Sequence, residues 1–194
     1  MEDQNLLLHI CCAPCSIMCV ESLRAEGIEP VGFWYNPNIH PVTEYRARKN
    51  TLIDYARDIH MKLYIKNEYG LRKFIDHVYP NYAGRCAYCY ELRLMETARF
   101  AAEYGFKAIC STLFISPYQN HELLKTTAQR AADSYGVEFL YRDFRPYFKE
   151  GRERAKALDL YRQRYCGCVF SEEDRFLEGK KDFITIQKFN NSAE

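Results

Sequence analysis

The stretch LLLHICCAPCSIMCVESLRAEG, residues 6–27, opens on a short apolar run and changes character at Cys11-Cys12-Ala13-Pro14-Cys15. After that break Ile17, Val20 and Leu23 recur at helical spacing until Gly27, so the segment predicts a strand, a loop and a helix. The unit then repeats. Residues 31–35 form a second apolar run that stops at Asn36-Pro37-Asn38, and a helix with Leu52, Ala56 and Ile59 on one face leads to a third strand near 63–65. A short helix around Phe74 and the turn-rich 79–84 precede a helix beginning near Cys86 or Ala87, which carries Leu94, Ala98 and Ala101 inward before Gly105. Residues 108–114 read as a buried strand, 121–135 as a helix closed by Gly136, and 138–141 as a last strand.

Such alternation predicts an α/β fold, a mostly parallel sheet with helices on both faces whose ligands gather at the carboxyl ends of the strands. From Arg142 the alternation stops; a charged helix around 152–165, the group Cys166-Gly167-Cys168 and a weakly patterned tail follow. The expected organisation is an α/β domain over residues 1–141, carrying Cys11/Cys12 and Cys86/Cys89, and an accessory C-terminal helical cap over 142–194, carrying Cys166/Cys168.

With 194 residues, 47% of them hydrophobic, the chain suffices for one core. A formal net charge of +1 confines any nucleic-acid contact to a local patch. Met1, Glu2 and Asp3 have the wrong sign for a signal peptide, and the apolar run broken by His9 is too short to span a bilayer, so a cytoplasmic protein without membrane contact is expected. In a reducing cytoplasm nine cysteines point to metal ligation or redox chemistry rather than structural disulfides.

Seven of those cysteines, in three groups, carry the main signal. Cys11 and Cys12 are adjacent, Cys15 completes a C-x-x-C with Cys12, and all three lie between a strand end and a helix N-terminus, where thiolates are favoured. Cys86 and Cys89 form a second C-x-x-C at another helix start. Four thiolates suit a [4Fe–4S] cluster and equally a structural zinc. Cys166-Gly167-Cys168 is too tightly spaced for a relaxed disulfide, which suits an electron relay or a second metal with Asp143 or His9 as partner. Cys15 is open between ligand, resolving thiol and support, while Cys19 and Cys110 read as core.

Other candidates follow from position. Tyr35, Asn36, Asn38 and His40 succeed the second strand and face the same rim as Cys11; the asparagines suit base edges, the histidine proton transfer. Tyr118 and Gln119 end another strand, where a ring can stack on a base. Arg142, Arg145, Lys149, Arg152, Arg154 and Lys156, interleaved with Phe144, Tyr147 and Phe148, form the one markedly basic stretch, suited to an RNA backbone.

Taken together, LLLHICCAPCS, YNPNIHP, RCAYCYELRL, STLFISPYQN, DFRPYF and LYRQRYCGC resemble, in order and over nearly the whole chain, the signature blocks of the QueH epoxyqueuosine reductases. The resemblance implies a [4Fe–4S] enzyme that deoxygenates epoxyqueuosine at the tRNA wobble position to queuosine, drawing on an unidentified electron donor. It implies Cys11, Cys12, Cys86 and Cys89 as cluster ligands, and Cys166 and Cys168 as a redox-active pair or as ligands of an adjacent mononuclear iron. On this reading Tyr35, His40 or a water held by Asp143 supplies protons, and Asn36, Asn38, Tyr118, Gln119, Arg152 and Arg154 contact substrate. The implied fold is similar to PP-loop (HUP-like) nucleotide-binding domains, yet no glycine-rich phosphate loop follows the first strand, so ATP use is not expected. The competing readings are a thiol-disulfide oxidoreductase and a zinc-stabilised, non-catalytic tRNA-binding module.

Overall fold

The computed structural model describes residues 5–177. Its strands are β1 (Leu6–His9), β2 (Val31–Trp34), β3 (Leu63–Ile65), β4 (Ala108–Ser111) and β5 (Glu138–Phe139). They form one five-stranded sheet in the order β3-β2-β1-β4-β5, and every pairing is parallel. Leu6, Leu7 and Leu8 of central β1 are all essentially inaccessible, which is why that strand reads as a continuous apolar run rather than an alternating one. In β2, a Cβ on Gly32 would stand 2.9 Å from Leu63 Cδ1 and 3.0 Å from Ile10 Cδ1, so a residue without a side chain lets those two meet over the sheet.

Seven α-helices occur among the described residues: α1 (Ala13–Ala25), α2 (Val42–Asp58), α3 (Leu71–Val78), α4 (Arg85–Glu103), α5 (His121–Tyr135), α6 (Phe148–Ala157) and α7 (Val169–Leu177). Right-handed crossovers from β1 to β2 to β3 lay α1 and α2 on one face, and the reversed progression from β4 to β5 lays α5 beside α4 on the other. The order therefore turns around between β1 and β4, and the loop leaving β1 emerges at that switch point, the crevice where doubly wound sheets bind ligands. None of the helices among the described residues is long and apolar enough to cross a membrane.

Most expected elements are present, with three differences. The strand read over 108–114 ends at Ser111, whose hydroxyl accepts a hydrogen bond from Leu113 N (3.2 Å) and turns the chain into a 3-10 helix over Thr112–Ile115. The last strand is two residues long, although Leu140 N still donates to Ile109 O (2.9 Å). The charged helix read over 152–165 is instead α6, which ends at Ala157 before Asp159 takes φ +49°; residues 158–168 are largely irregular, and α7 follows unforeseen. α6 lies close over α1, for a Cβ on its Gly151 would sit 3.3 Å from Met18 Cγ. The tail expected beyond α7 falls, from residue 178, outside the described residues.

Candidate metal centre

The first cysteine group is framed by the switch point itself. Ile10 N donates to Phe33 O of β2 (2.8 Å), and Cys11 N donates to Thr112 Oγ1 just past β4 (3.1 Å), so the two neighbouring strands fix the loop between them. Cys12 caps α1 in extended conformation, with Pro14 in the first turn. The sulfurs of Cys11, Cys12 and Cys15 all lie within 4.8 Å of one another, the one such group of three or more metal-ligating side chains among the described residues. Donors converge on them: Thr112 Oγ1 approaches Cys11 Sγ at 3.4 Å, and Gln163 Nε2 donates to Cys12 Sγ (3.1 Å) and Cys15 Sγ (3.6 Å). Hydrogen bonds from the Cys12 and Cys15 thiols, with help from Thr112, hold Cys11 well below its ordinary pKa against the cost of burial. Burial first, then the neighbouring Cys11 sulfur, pushes Cys12 up against the opposing hydrogen bond with Cys15. The group thus favours one thiolate solvated by its neighbours, and three soft donors so close together fit a thiophilic metal or an iron–sulfur cluster.

The second and third groups meet on the other side of this rim. Cys86 and Cys89 occupy the first turn of α4; Cys86 is exposed, whereas Cys89 is buried in a small cluster with Phe74, Val78 and Cys168. Burial raises the Cys89 thiol to about 12. One turn along α4, the fully buried Arg93 donates from Nε to Cys89 O and from Nη2 to Cys89 Sγ, both at 3.0 Å. Its guanidinium also interacts electrostatically with Cys166 and Cys11, so one buried cation stands among members of all three groups. Exposed Cys166 accepts from Gln119 Nε2 (3.4 Å), whose carbonyl is held by the Tyr90 hydroxyl (2.7 Å). Cys86 and Cys89 lie outside the compact triad of Cys11, Cys12 and Cys15.

Comparison with known proteins matches residues 6–174 to the family described as epoxyqueuosine reductase QueH. The chain belongs to the QueH family. A curated QueH of Dehalococcoides mccartyi is 39% identical over 89% of this chain and 94% of its own length. One from Acinetobacter baylyi is 38% identical over 98% and 92%, and one from Thermotoga maritima 33% identical over 88% and 92%. Among solved structures, one titled as a predicted subunit of tRNA methyltransferase from Methanocaldococcus jannaschii aligns at 16% identity and TM-score 0.44, covering 78% of this chain and 74% of that one. Membership makes this chain an oxidoreductase, in agreement with the six sequence blocks.

The remaining candidates of this QueH member have varied settings. Asn36 donates to Ile10 O (2.9 Å), and its Oδ1, like that of Asn38, is buried without a hydrogen-bond partner among the described residues. Gly70 N donates to Pro37 O between them (3.0 Å), and a Cβ at Gly70 would come within 2.9 Å of that same oxygen, so the turn is held by a contact only glycine permits. Tyr35 is buried beneath Lys66 and lines an open cleft of ≈ 370 Å³ with His77, Tyr88 and Met95, into which no cysteine opens. Asp143 is paired with Arg145 (2.6 Å), whose hydrogen bonds pull its carboxyl down to about 2. Tyr118 is 81% exposed, edge-on to Phe148, and Arg152 covers that same ring. Arg154 is engaged by Glu21 and Glu150, tying α6 to α1. His9 bonds Ser111 Oγ (3.0 Å), and Cys19 and Cys110 are core residues.

His40 is fully buried; its Nε2–H donates to Pro37 O (3.2 Å), its ring meets Tyr69 and Phe74 edge-on, and burial lowers its pKa from 6.5 to about 4. A histidine held neutral in the fold takes up its proton only on unfolding, so its stabilisation is complete above pH 6.5 and is lost as pH falls toward 4. At pH 5 this amounts to about 1–2 kcal/mol relative to pH 7. Urea unfolding of wild type and His40→Gln at both pH values is expected to show a smaller acid-induced loss in the variant; equal losses would contradict the assignment.

Proposed function

We propose that this chain is an iron–sulfur-dependent reductase that converts epoxyqueuosine at the wobble position of tRNA to queuosine, in the reducing cytoplasm. Membership of the QueH family supports the reaction, and the observation that carries the cofactor assignment is the set of sulfur donors gathered at the switch point of the sheet. Cys11, Cys12, Cys86 and Cys89 would hold a [4Fe–4S] cluster, with Cys166 and Cys168 either cycling as a dithiol or holding a mononuclear iron beside it. When bound, such a centre supplies single electrons and a Lewis-acidic iron. An epoxide takes up two electrons and two protons to give an alkene and water, so each turnover draws two electrons from an external donor.

The chain's own groups set the conditions. Thr112, Gln163 and Arg93 point donors at sulfur and thereby favour anionic ligands in a partly water-excluded place. The unpartnered carbonyls of Asn36 and Asn38 are available to amino or hydroxyl groups of the nucleoside, the exposed Tyr118 ring to a stacked base, and Gln119 to the rim beside Cys166. Neutral His40 keeps its Nε2 proton on Pro37 O and offers Nδ1 only as a hydrogen-bond acceptor, Tyr35 retains its hydroxyl proton, and ionised Asp143 can orient a water but not act as an acid itself. Arg152 has no carboxylate partner among the described residues and is the better phosphate contact; Arg154 must first leave Glu21 and Glu150. Arg152→Ala is expected to lower the slope of log affinity for tRNA against log salt by about 1. An unchanged slope in filter binding would remove Arg152 from the interface.

Iron, acid-labile sulfide and zinc in protein purified without oxygen, for wild type and for Cys86→Ala Cys89→Ala, test the cofactor. Iron with comparable sulfide, lost in the variant, is expected. Zinc without sulfide would overturn the reductase reading in favour of a tRNA-binding module, and metal-free dithiol cycling would favour a thiol-disulfide oxidoreductase.

A further inference from the structure

Arg48 of α2 is 2% exposed, yet it belongs to no cysteine motif. Its guanidinium is spent on three partners: Nε donates to Glu44 Oε1 (2.7 Å), Nη1 to the main-chain oxygen of Cys166 (2.7 Å) and Nη2 to that of Tyr165 (3.0 Å). Glu44 is in turn bonded by the Tyr161 hydroxyl from the same irregular segment. The segment is also tied to the turn after β2, for His40 N donates to Gly167 O (2.8 Å) and the Tyr165 hydroxyl to His40 O (2.5 Å). At Gly167 the approach is close: a Cβ there would meet Ile39 Cγ1 at 3.3 Å and Asn38 Nδ2 at 3.4 Å.

An irregular loop has no ladder to satisfy its carbonyls or fix its path. Here a planar fork reaches two consecutive carbonyls at once, which a lysine's single nitrogen cannot copy. We propose that Arg48 is a positioning residue for the third cysteine group: it fastens the carbonyls of Tyr165 and Cys166 to α2 and so holds Cys168 buried against Cys89 and Phe74. The inference rests on the proposed reading only in giving the Cys166/Cys168 pair a part in the reaction; the docking itself is independent of it.

The test compares the full chain, purified without oxygen, as wild type, Arg48→Lys, Arg48→Gln and Tyr161→Phe. Alkylation by iodoacetamide is followed cysteine by cysteine by mass spectrometry. Both Arg48 variants are expected to speed labelling of Cys168 at least about ten-fold, since hydrogen bonds from a buried charge are lost, while Cys110 in β4 stays protected. With epoxyqueuosine tRNA, kcat should fall with KM unchanged. Protection of Cys168 equal to wild type in either Arg48 variant would overturn the proposal. If Cys110 and Cys168 become reactive together, the variants have lost the fold, and Tyr161→Phe decides: its exposed ring stays in place and one bond to Glu44 goes, so a rise of about three-fold at Cys168 alone is expected, and no rise overturns the proposal. A wild type without reductase activity would refute the functional reading and leave the labelling comparison standing.

Discussion

Cys11→Ala is expected to abolish epoxyqueuosine reduction and to empty the metal centre while leaving the fold in place. The loop is held by main-chain bonds, from Ile10 N to Phe33 O and from Cys11 N to Thr112 Oγ1, and these do not need the sulfur. The sulfur itself is the one its neighbours hold as thiolate, and ligation requires the thiolate. Loss of an outer-shell partner typically costs about 10–100-fold in metal affinity or activity, so loss of a ligand should exceed about 100-fold. The destabilisation of metal-free protein should be about 1 kcal/mol, the ordinary cost of trimming one half-buried side chain. Cys19→Ala is the matching control: that thiol lies in the core and donates to Cys15 O (3.2 Å), so its removal should leave metal content unchanged. Full turnover in Cys11→Ala with metal retained would refute the assignment of this loop.

Leu8→Ala should be the most damaging single change to the fold. Leu8 is inaccessible at the middle of β1, in register with Gly32 on one side and Cys110 on the other. Cutting it to alanine opens a cavity between the sheet and the helical layer that its side chain faces, at about 2–5 kcal/mol. A domain of this size has about 5–15 kcal/mol to lose, so the variant should unfold at far lower urea with an unchanged denaturant slope. Leu158→Ala, at a 54% exposed position after α6, should shift the midpoint negligibly. A similarly small shift for Leu8→Ala would mean that β1 is not the central strand.

The alternation of strands and helices was legible because apolar runs of four or five residues between helical periods have few other solutions. Strand order was not, since nothing local distinguishes a crossover to the left of β1 from one to the right. Where local reading failed, a side chain or a distant partner had overridden it. Ser111 turns β4 into a 3-10 helix inside an otherwise apolar stretch, and the chain after α6 leaves helical form where Tyr161 and Tyr165 find partners on Glu44 and His40. The cysteine groups were visible from spacing alone, but the residues that surround them were mostly not. Arg93 was within reach, standing four residues after Cys89 on one helix face. Thr112, Gln163 and Arg48 carry no such signature, because they meet the cysteine loops across separations of 101, 151 and 118 residues.

Those separations also have a meaning in time. Cys11, Cys12 and Cys15 are made before the groups that surround them: the hydroxyl that steadies Cys11 comes 101 residues later and the amide that reaches Cys12 comes 151 later. At about 5–20 residues per second, the three thiols therefore wait roughly 5–30 s on the ribosome before their surroundings exist. During that interval they are ordinary reactive thiols at the end of an unpaired strand. On the proposed reading, filling of the centre would follow synthesis, and the yield of loaded enzyme should depend on how reducing the cell is while the chain is still being made.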